Sequence, residues 1–177
     1  SRGDLPQRIR PMQPGQQADP FSDPSWLFEM KFEGQRVTVT KNGEQVSITG
    51  FNRKRPAVLA PIREAVQRLR GDRVVVDGVL VAVDDGGRPS HAVLQAALAG
   101  ETEAAAQLYC FDLLHFDGFD VRELPLLDRK VLLAAVLPKS GPLLYVDHVA
   151  GNGLELHQSV VAAGLPAMIA KRAVAAY

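Results

Sequence analysis

The stretch Arg73–Asp84 reads RVVVDGVLVAVD. Nearly all of it is apolar, and most of the apolar residues are β-branched. A run with no polar face predicts a strand buried on both sides, at the centre of a sheet. Asp77-Gly78 is its single interruption. Upstream, RVTVT (36–40) and QVSIT (45–49) alternate apolar and polar residues, and Asn42-Gly43 between them signals a hairpin turn. Between the hairpin and the central strand the period lengthens. From Pro56 to Arg70, Val58, Leu59, Ile62, Val66 and Leu69 share one helical face, with Arg63, Gln67 and Arg70 opposite. Pro56 and Pro61 suit the entry or first turn of that helix.

Downstream, DDGGRP (84–89) is a turn and HAVLQAALAG (91–100) a short helix ended by Gly100. LYCFDLLHFDG (108–118) reads as a strand closing in an Asp117-Gly118 turn, and PLLDRKVLLAAVL (125–137) as an amphipathic helix. LLYVDHV (143–149) reads as a strand, GLELHQSVVAAGL (153–165) as a helix and AMIAKRAVA (167–175) as a last strand. The sum is an α+β layout, rich in antiparallel pairing, with helices interleaved. Residues 1–24 are polar and proline-rich and read as an arm or linker, and residues 25–177 as the folded domain.

The chain has 177 residues, of which 46% are hydrophobic, enough for a packed core. Lys plus Arg and Asp plus Glu each number 20, so any nucleic-acid footprint must be local. A single cysteine, Cys110, excludes an internal disulfide framework and fits a reduced, cytoplasmic protein. No Cys/His pattern has zinc spacing, and no apolar run is long enough to span a bilayer. The expected setting is cytoplasmic and nucleoid-associated.

Phe28–Val37 reads FEMKFEGQRV, crowding Glu29, Lys31, Glu33 and Arg36 around Phe32. Solvated surface charge is one account of this cluster, and a covalent nucleotide site is the other. The segments EMKFEGQR, VVVDGVLVAVDDGGRPSH, YCFDLLHFDGFDVRELPLLDRK and GLPAMIAKRAVAAY together resemble those of ATP-dependent DNA ligases, in order and in spacing. The likeness is strongest to the ligase module of bacterial non-homologous end-joining proteins and runs from Leu5 to Tyr177. It implies a ligase-type nucleotidyltransferase (ATP-grasp-like) fold, with antiparallel sheets and packed helices. It also implies a three-step reaction, in which a lysine takes AMP from ATP, passes it to a DNA 5′-phosphate, and a 3′-hydroxyl seals the nick.

By that resemblance Lys31 is the nucleophile. Glu29 reads the adenine amino group, Arg36 closes on the nucleotide and Phe111 packs near the ring. Met30 and Lys171 complete the nucleotide-binding set, and Glu33 is the metal-side carboxylate. Arg53, Lys54 and Arg55 offer a basic contact for DNA phosphates. ATP and Mg²⁺ or Mn²⁺ are the implied cofactors. Nicked or broken double-stranded DNA is the implied substrate, with end-joining proteins as partners and no membrane.

The departures from the family pattern fall at the chemistry. Glu33 stands where aspartate is usual, and Val79 stands where D-G-E has its glutamate. A valine can neither ligate a metal nor accept a hydrogen bond. Pro166 and Ala167 replace a Glu-Gly pair, and Phe51 and Arg53 replace an arginine and a glycine. The text reaches Tyr177 before the strand with paired phosphate lysines and before any OB-fold. The expectation is therefore an adenylation domain that forms lysyl-AMP on Lys31, with ligation weak or absent in this chain alone. The alternative is a ligase-like scaffold that binds nucleotide, DNA or a repair partner.

Overall fold

The structure, a computed structural model, describes residues 4–6, 9–16, 19–51 and 56–177. Arg53, Lys54 and Arg55 lie outside the described residues. In chain order the elements are β1 (Asp23–Met30), β2 (Gln35–Asn42), β3 (Gln45–Thr49), a 3₁₀ turn at Ala57–Leu59, α1 (Ala60–Gln67) and β4 (Arg73–Ala82). Then come α2 (His91–Ala99), β5 (Ala106–Phe116), β6 (Phe119–Asp120), α3 (Leu126–Val136), β7 (Leu143–Tyr145), β8 (Val149–Gly151), α4 (Gly153–Ala162) and β9 (Met168–Arg172).

A six-stranded sheet runs β3-β2-β4-β5-β6, with β7 beside β5. The central run is β4, and Val74, Val75, Val76, Leu80, Val81 and Ala82 on it are all buried. Its pairing with β2 and β5 is antiparallel throughout. Gly78 is demanded by close approach, since a Cβ there would stand 2.7 Å from the Tyr109 carbonyl oxygen on β5. Gly43, at φ 58°, turns the β2–β3 hairpin where the Asn-Gly signal lies. The 3₁₀ turn and the helices α1, α2 and α3 cover this sheet, seating Leu59, Ile62, Val66, Leu94, Leu98 and Leu133 in one apolar cluster.

A second, three-stranded sheet runs β8-β1-β9. Both pairings with β1 are antiparallel. The expected single strand over 143–149 is divided between the two sheets. Leu143–Tyr145 pairs in parallel with β5, and the chain resumes as a strand at Val149 against β1. The break lies at Asp147, whose carboxylate accepts the His148 N–H at 2.8 Å and so satisfies that donor locally. Among the described residues no helix is long and apolar enough to cross a membrane.

His115 on β5 is fully buried. Its Nε2 accepts the Gly118 N–H at 3.2 Å across the turn into β6, while Nδ1 has no partner among the described residues. Burial, and then the charge of Arg73, hold its imidazole below the usual histidine value, outweighing Asp120 and Asp117. An imidazolium has no acceptor to offer Gly118. The unfolded chain therefore takes up this proton first. The stability contributed by neutral His115 is complete above the unfolded value of about 6.5. It is lost as pH falls through that value toward the folded one. Melting temperature should therefore drop between about pH 7.5 and pH 5.5, and His115→Gln should shrink that drop; equal drops in both proteins would acquit His115.

Candidate nucleotide site

The site lies where β1 hands the chain to β2, so the two sheets meet there. Lys31 is the first residue past β1, and its backbone N–H donates to the Ala167 carbonyl just before β9 at 3.0 Å. Its side chain is exposed and, among the described residues, makes no hydrogen bond or ion pair. Phe32 next to it packs on Tyr109 of β5, with ring centroids 4.3 Å apart. Gly34 follows, and a Cβ there would stand 2.0 Å from the Leu80 carbonyl oxygen and 2.7 Å from Val79 Cγ1. The loop thus lies directly on β4, with the Val79 side chain against it. Glu33 is exposed and Met30 is 40% exposed, so both sit at the rim.

Glu29, two residues before Lys31, is 2% exposed. Lys130 Nζ on α3 donates to its Oε1 at 2.5 Å, and Lys171 Nζ on β9 donates to its Oε2 at 2.6 Å. Lys130 is fully buried and also donates to the Val146 carbonyl at 2.9 Å. Burial pulls its ammonium below the ordinary lysine value, and Glu29 opposes that pull. Lys130 is a site residue that spacing along the sequence did not reveal. Its partner is 101 residues away, and within the text of α3 it reads as one more solvated helix charge.

Phe111 on β5 lies between two cations. Lys171 Nζ is 4.3 Å from its ring centroid and the Arg36 guanidinium carbon 5.3 Å. Arg36 is fixed from behind by Asp77, the aspartate that interrupts β4, through Nε at 3.1 Å and Nη2 at 2.6 Å. The Tyr177 hydroxyl donates to the same carboxylate at 2.6 Å, and Arg36 Nη1 donates to the Met12 carbonyl. Burial works against the charge on Arg36, but the hydrogen bonds and charge of Asp77 prevail and the net shift is upward. Burial, followed by Asp77, raises the Tyr177 phenol. Glu29, Arg36, Phe111 and Lys171 are thereby brought together, and Lys31 follows Glu29 by two residues at the end of β1.

The ligand set for a metal ion is another matter. Among the described residues no three His, Cys, Asp or Glu side chains converge. Both oxygens of Glu29 are taken, Glu33 is exposed at the surface, and position 79 offers only methyl groups. These residues do not form a preformed metal centre. They do suit an anionic nucleotide, with cations beside an aromatic ring and a buried carboxylate acceptor.

A family model described as ATP dependent DNA ligase domain matches residues 11–177. The chain belongs to this family. Membership implies ATP and a divalent metal in the family reaction. A probable DNA ligase of Mycobacterium marinum is 32% identical over an alignment covering 85% of this chain and 31% of that protein. The SPbeta prophage-derived DNA ligase-like protein LigB of Bacillus subtilis is 25% identical over 90% of this chain and 58% of its own length. The ligase-domain chain thus spans between about a third and three fifths of these relatives. A solved structure described as mycobacterial DNA ligase D complexed with ATP and MES superposes with a TM-score of 0.73 at 25% identity, covering 89% of this chain and 51% of that one. The ligase domain of LigD from M. tuberculosis has the same fold, with TM-score 0.73 at 24% identity over 89% of this chain and 50% of that one. The fold is therefore that of a ligase nucleotidyltransferase domain.

Proposed function

We propose that this domain binds ATP and takes AMP onto Lys31, with slow chemistry and weak or absent ligation in this chain alone. The observation that carries the reading is the exposed Lys31 side chain, unpaired among the described residues, one residue past the strand on which Glu29 meets Lys171. In this reading the Lys31 Nζ lone pair forms a bond to the α-phosphorus, the bond to pyrophosphate breaks, and the amine proton leaves to solvent. Only the neutral amine attacks. Lys171 and Arg36 offset negative charge on the nucleotide, and Phe111 supplies a ring for the base. The solved mycobacterial relative described with ATP supports the choice of nucleotide. Nicked or broken duplex DNA is the proposed acceptor of AMP, with end-joining proteins as partners.

One observation favours a second reading, a nucleotide-binding scaffold without chemistry. Among the described residues, Glu33 is the one carboxylate near Lys31 in sequence without a partner, because Val79 lines the loop and Glu29 is fully engaged. Intact-protein mass after incubation with ATP and Mg²⁺ or Mn²⁺ separates the two. The expected result is a gain of one AMP that Lys31→Ala abolishes. Stabilisation by ATP with no adduct supports the scaffold, and neither adduct nor stabilisation removes both.

A further inference from the structure

Two lysines grip one buried carboxylate, and they are not equivalent. Lys130 cannot leave Glu29, because it is fully buried, donates also to the Val146 carbonyl, and lies 4.8 Å from the Tyr145 ring centroid. The Lys171 side chain is 22% exposed, on a strand whose single neighbour in its sheet is β1. Its ammonium occupies two places at once, Glu29 Oε2 at 2.6 Å and the Phe111 ring at 4.3 Å. Those are the two groups a purine would need, an acceptor for an exocyclic amino group and a ring to stack on. Arg36 is not interchangeable with it, since Asp77 and Tyr177 hold the guanidinium.

We propose that Lys171 is a displaceable occupant of the base-recognition site, holding Glu29 and Phe111 until a purine replaces it and frees its ammonium for the nucleotide phosphates. This rests on the nucleotide reading given above and adds to it a competition within the site. The charges make the exchange feasible. Glu29 with Lys130 is already a neutral pair, so departure of Lys171 leaves no unpaired buried carboxylate. The group that replaces it can then be an uncharged N–H donor. The exchange also relieves the like-charge repulsion between the two ammonium groups. Lys130 acts here as a positioning residue. It holds Glu29 in place and leaves one oxygen to be read.

The test compares adenosine with ATP by calorimetric titration of the full chain, its Lys171→Met variant and its Lys171→Arg variant. Removing the occupant should tighten adenosine binding by about three- to tenfold, because the base no longer competes with a cation. The same variant should bind ATP more weakly, because the phosphates lose their ammonium. Lys171→Arg should restore the wild-type order for both ligands. Lys171→Gln provides the same comparison if the methionine variant fails to fold, with the same signs and smaller changes. A loss of both affinities by the same factor, or an unchanged adenosine affinity, would overturn the proposal while leaving the nucleotide reading intact. If the unaltered chain binds neither ligand, the nucleotide reading itself fails and this proposal with it.

Discussion

The triple variant Val79→Glu, Pro166→Glu and Ala167→Gly should raise the rate at which Lys31 acquires AMP by roughly two orders of magnitude, the usual worth of one well-placed electrostatic group. Val79 is paired with Arg36 on β2 and Tyr109 on β5, and its side chain meets the loop at Gly34. A carboxylate there would sit beneath the loop that begins with Lys31 and would supply an oxygen of the kind divalent cations prefer, where the site now offers methyl groups. Being only half-buried, it need not desolvate fully. Ala167 already receives the Lys31 N–H through its carbonyl, a bond that glycine keeps. Replacing Pro166 returns a backbone donor at the entry to β9. Adduct formation is followed by intact mass at equal ATP and Mg²⁺. A folded triple variant with unchanged melting and no faster adduct formation would show that these positions do not limit the reaction.

Arg129→Met should destabilise the fold by about 3–5 kcal/mol. Arg129 is 1% exposed and grips Asp112 through Nε at 2.8 Å and Nη2 at 3.0 Å. Its Nη1 also donates to the carbonyls of Leu124 at 2.5 Å and Ala175 at 3.0 Å, tying β5, α3 and the segment after β9 together. The methionine fills similar volume but strands the Asp112 carboxylate, which is 4% exposed. Burial already raises the Asp112 value against the pull of Arg129, so the unpaired group would protonate more readily still. The double variant Arg129→Met, Asp112→Leu should recover most of the loss, because apolar replacement of a whole buried pair is often neutral. Urea melts of the three proteins decide it. A loss below about 1 kcal/mol in the single variant would mean that the pair contributes nothing beyond packing.

Much of the fold was legible because it is local. The apolar run at 74–76 and 80–82 has to be buried on both faces, and β4 is central. The Asn42-Gly43 pair and the flanking alternation specify the β2–β3 hairpin. Pro61 falls in the first turn of α1, as a residue without an N–H should. What escaped is what depends on distant partners. Lys41 looks like a hairpin surface lysine, yet it is 7% exposed and its Nζ donates to the Leu69 and Gly71 carbonyls after α1. Glu29 and Lys31 are near neighbours in sequence, but β1 ends between them, and Glu29 turns inward to lysines on α3 and β9. Asp77 reads as an interruption in an apolar strand until Arg36 and Tyr177 are placed against it. The division of residues 143–151 between two sheets has no local signature, since both halves are equally apolar and extended.

The small sheet has a consequence for how the protein is made. Its middle strand, β1, comes far earlier in the sequence than both its neighbours, β8 and β9. Glu29 and Lys171 stand 142 residues apart. At ordinary elongation rates β1 leaves the ribosome on the order of ten seconds before β9 exists to pair with it. During that interval the six-stranded sheet can assemble as its strands emerge, but β1 has open edges on both sides. Lys31 is present throughout, yet β9, whose Lys171 engages Glu29, is made much later. Nascent chains should thus carry the open-edged strand well before the Glu29–Lys171 pair can close.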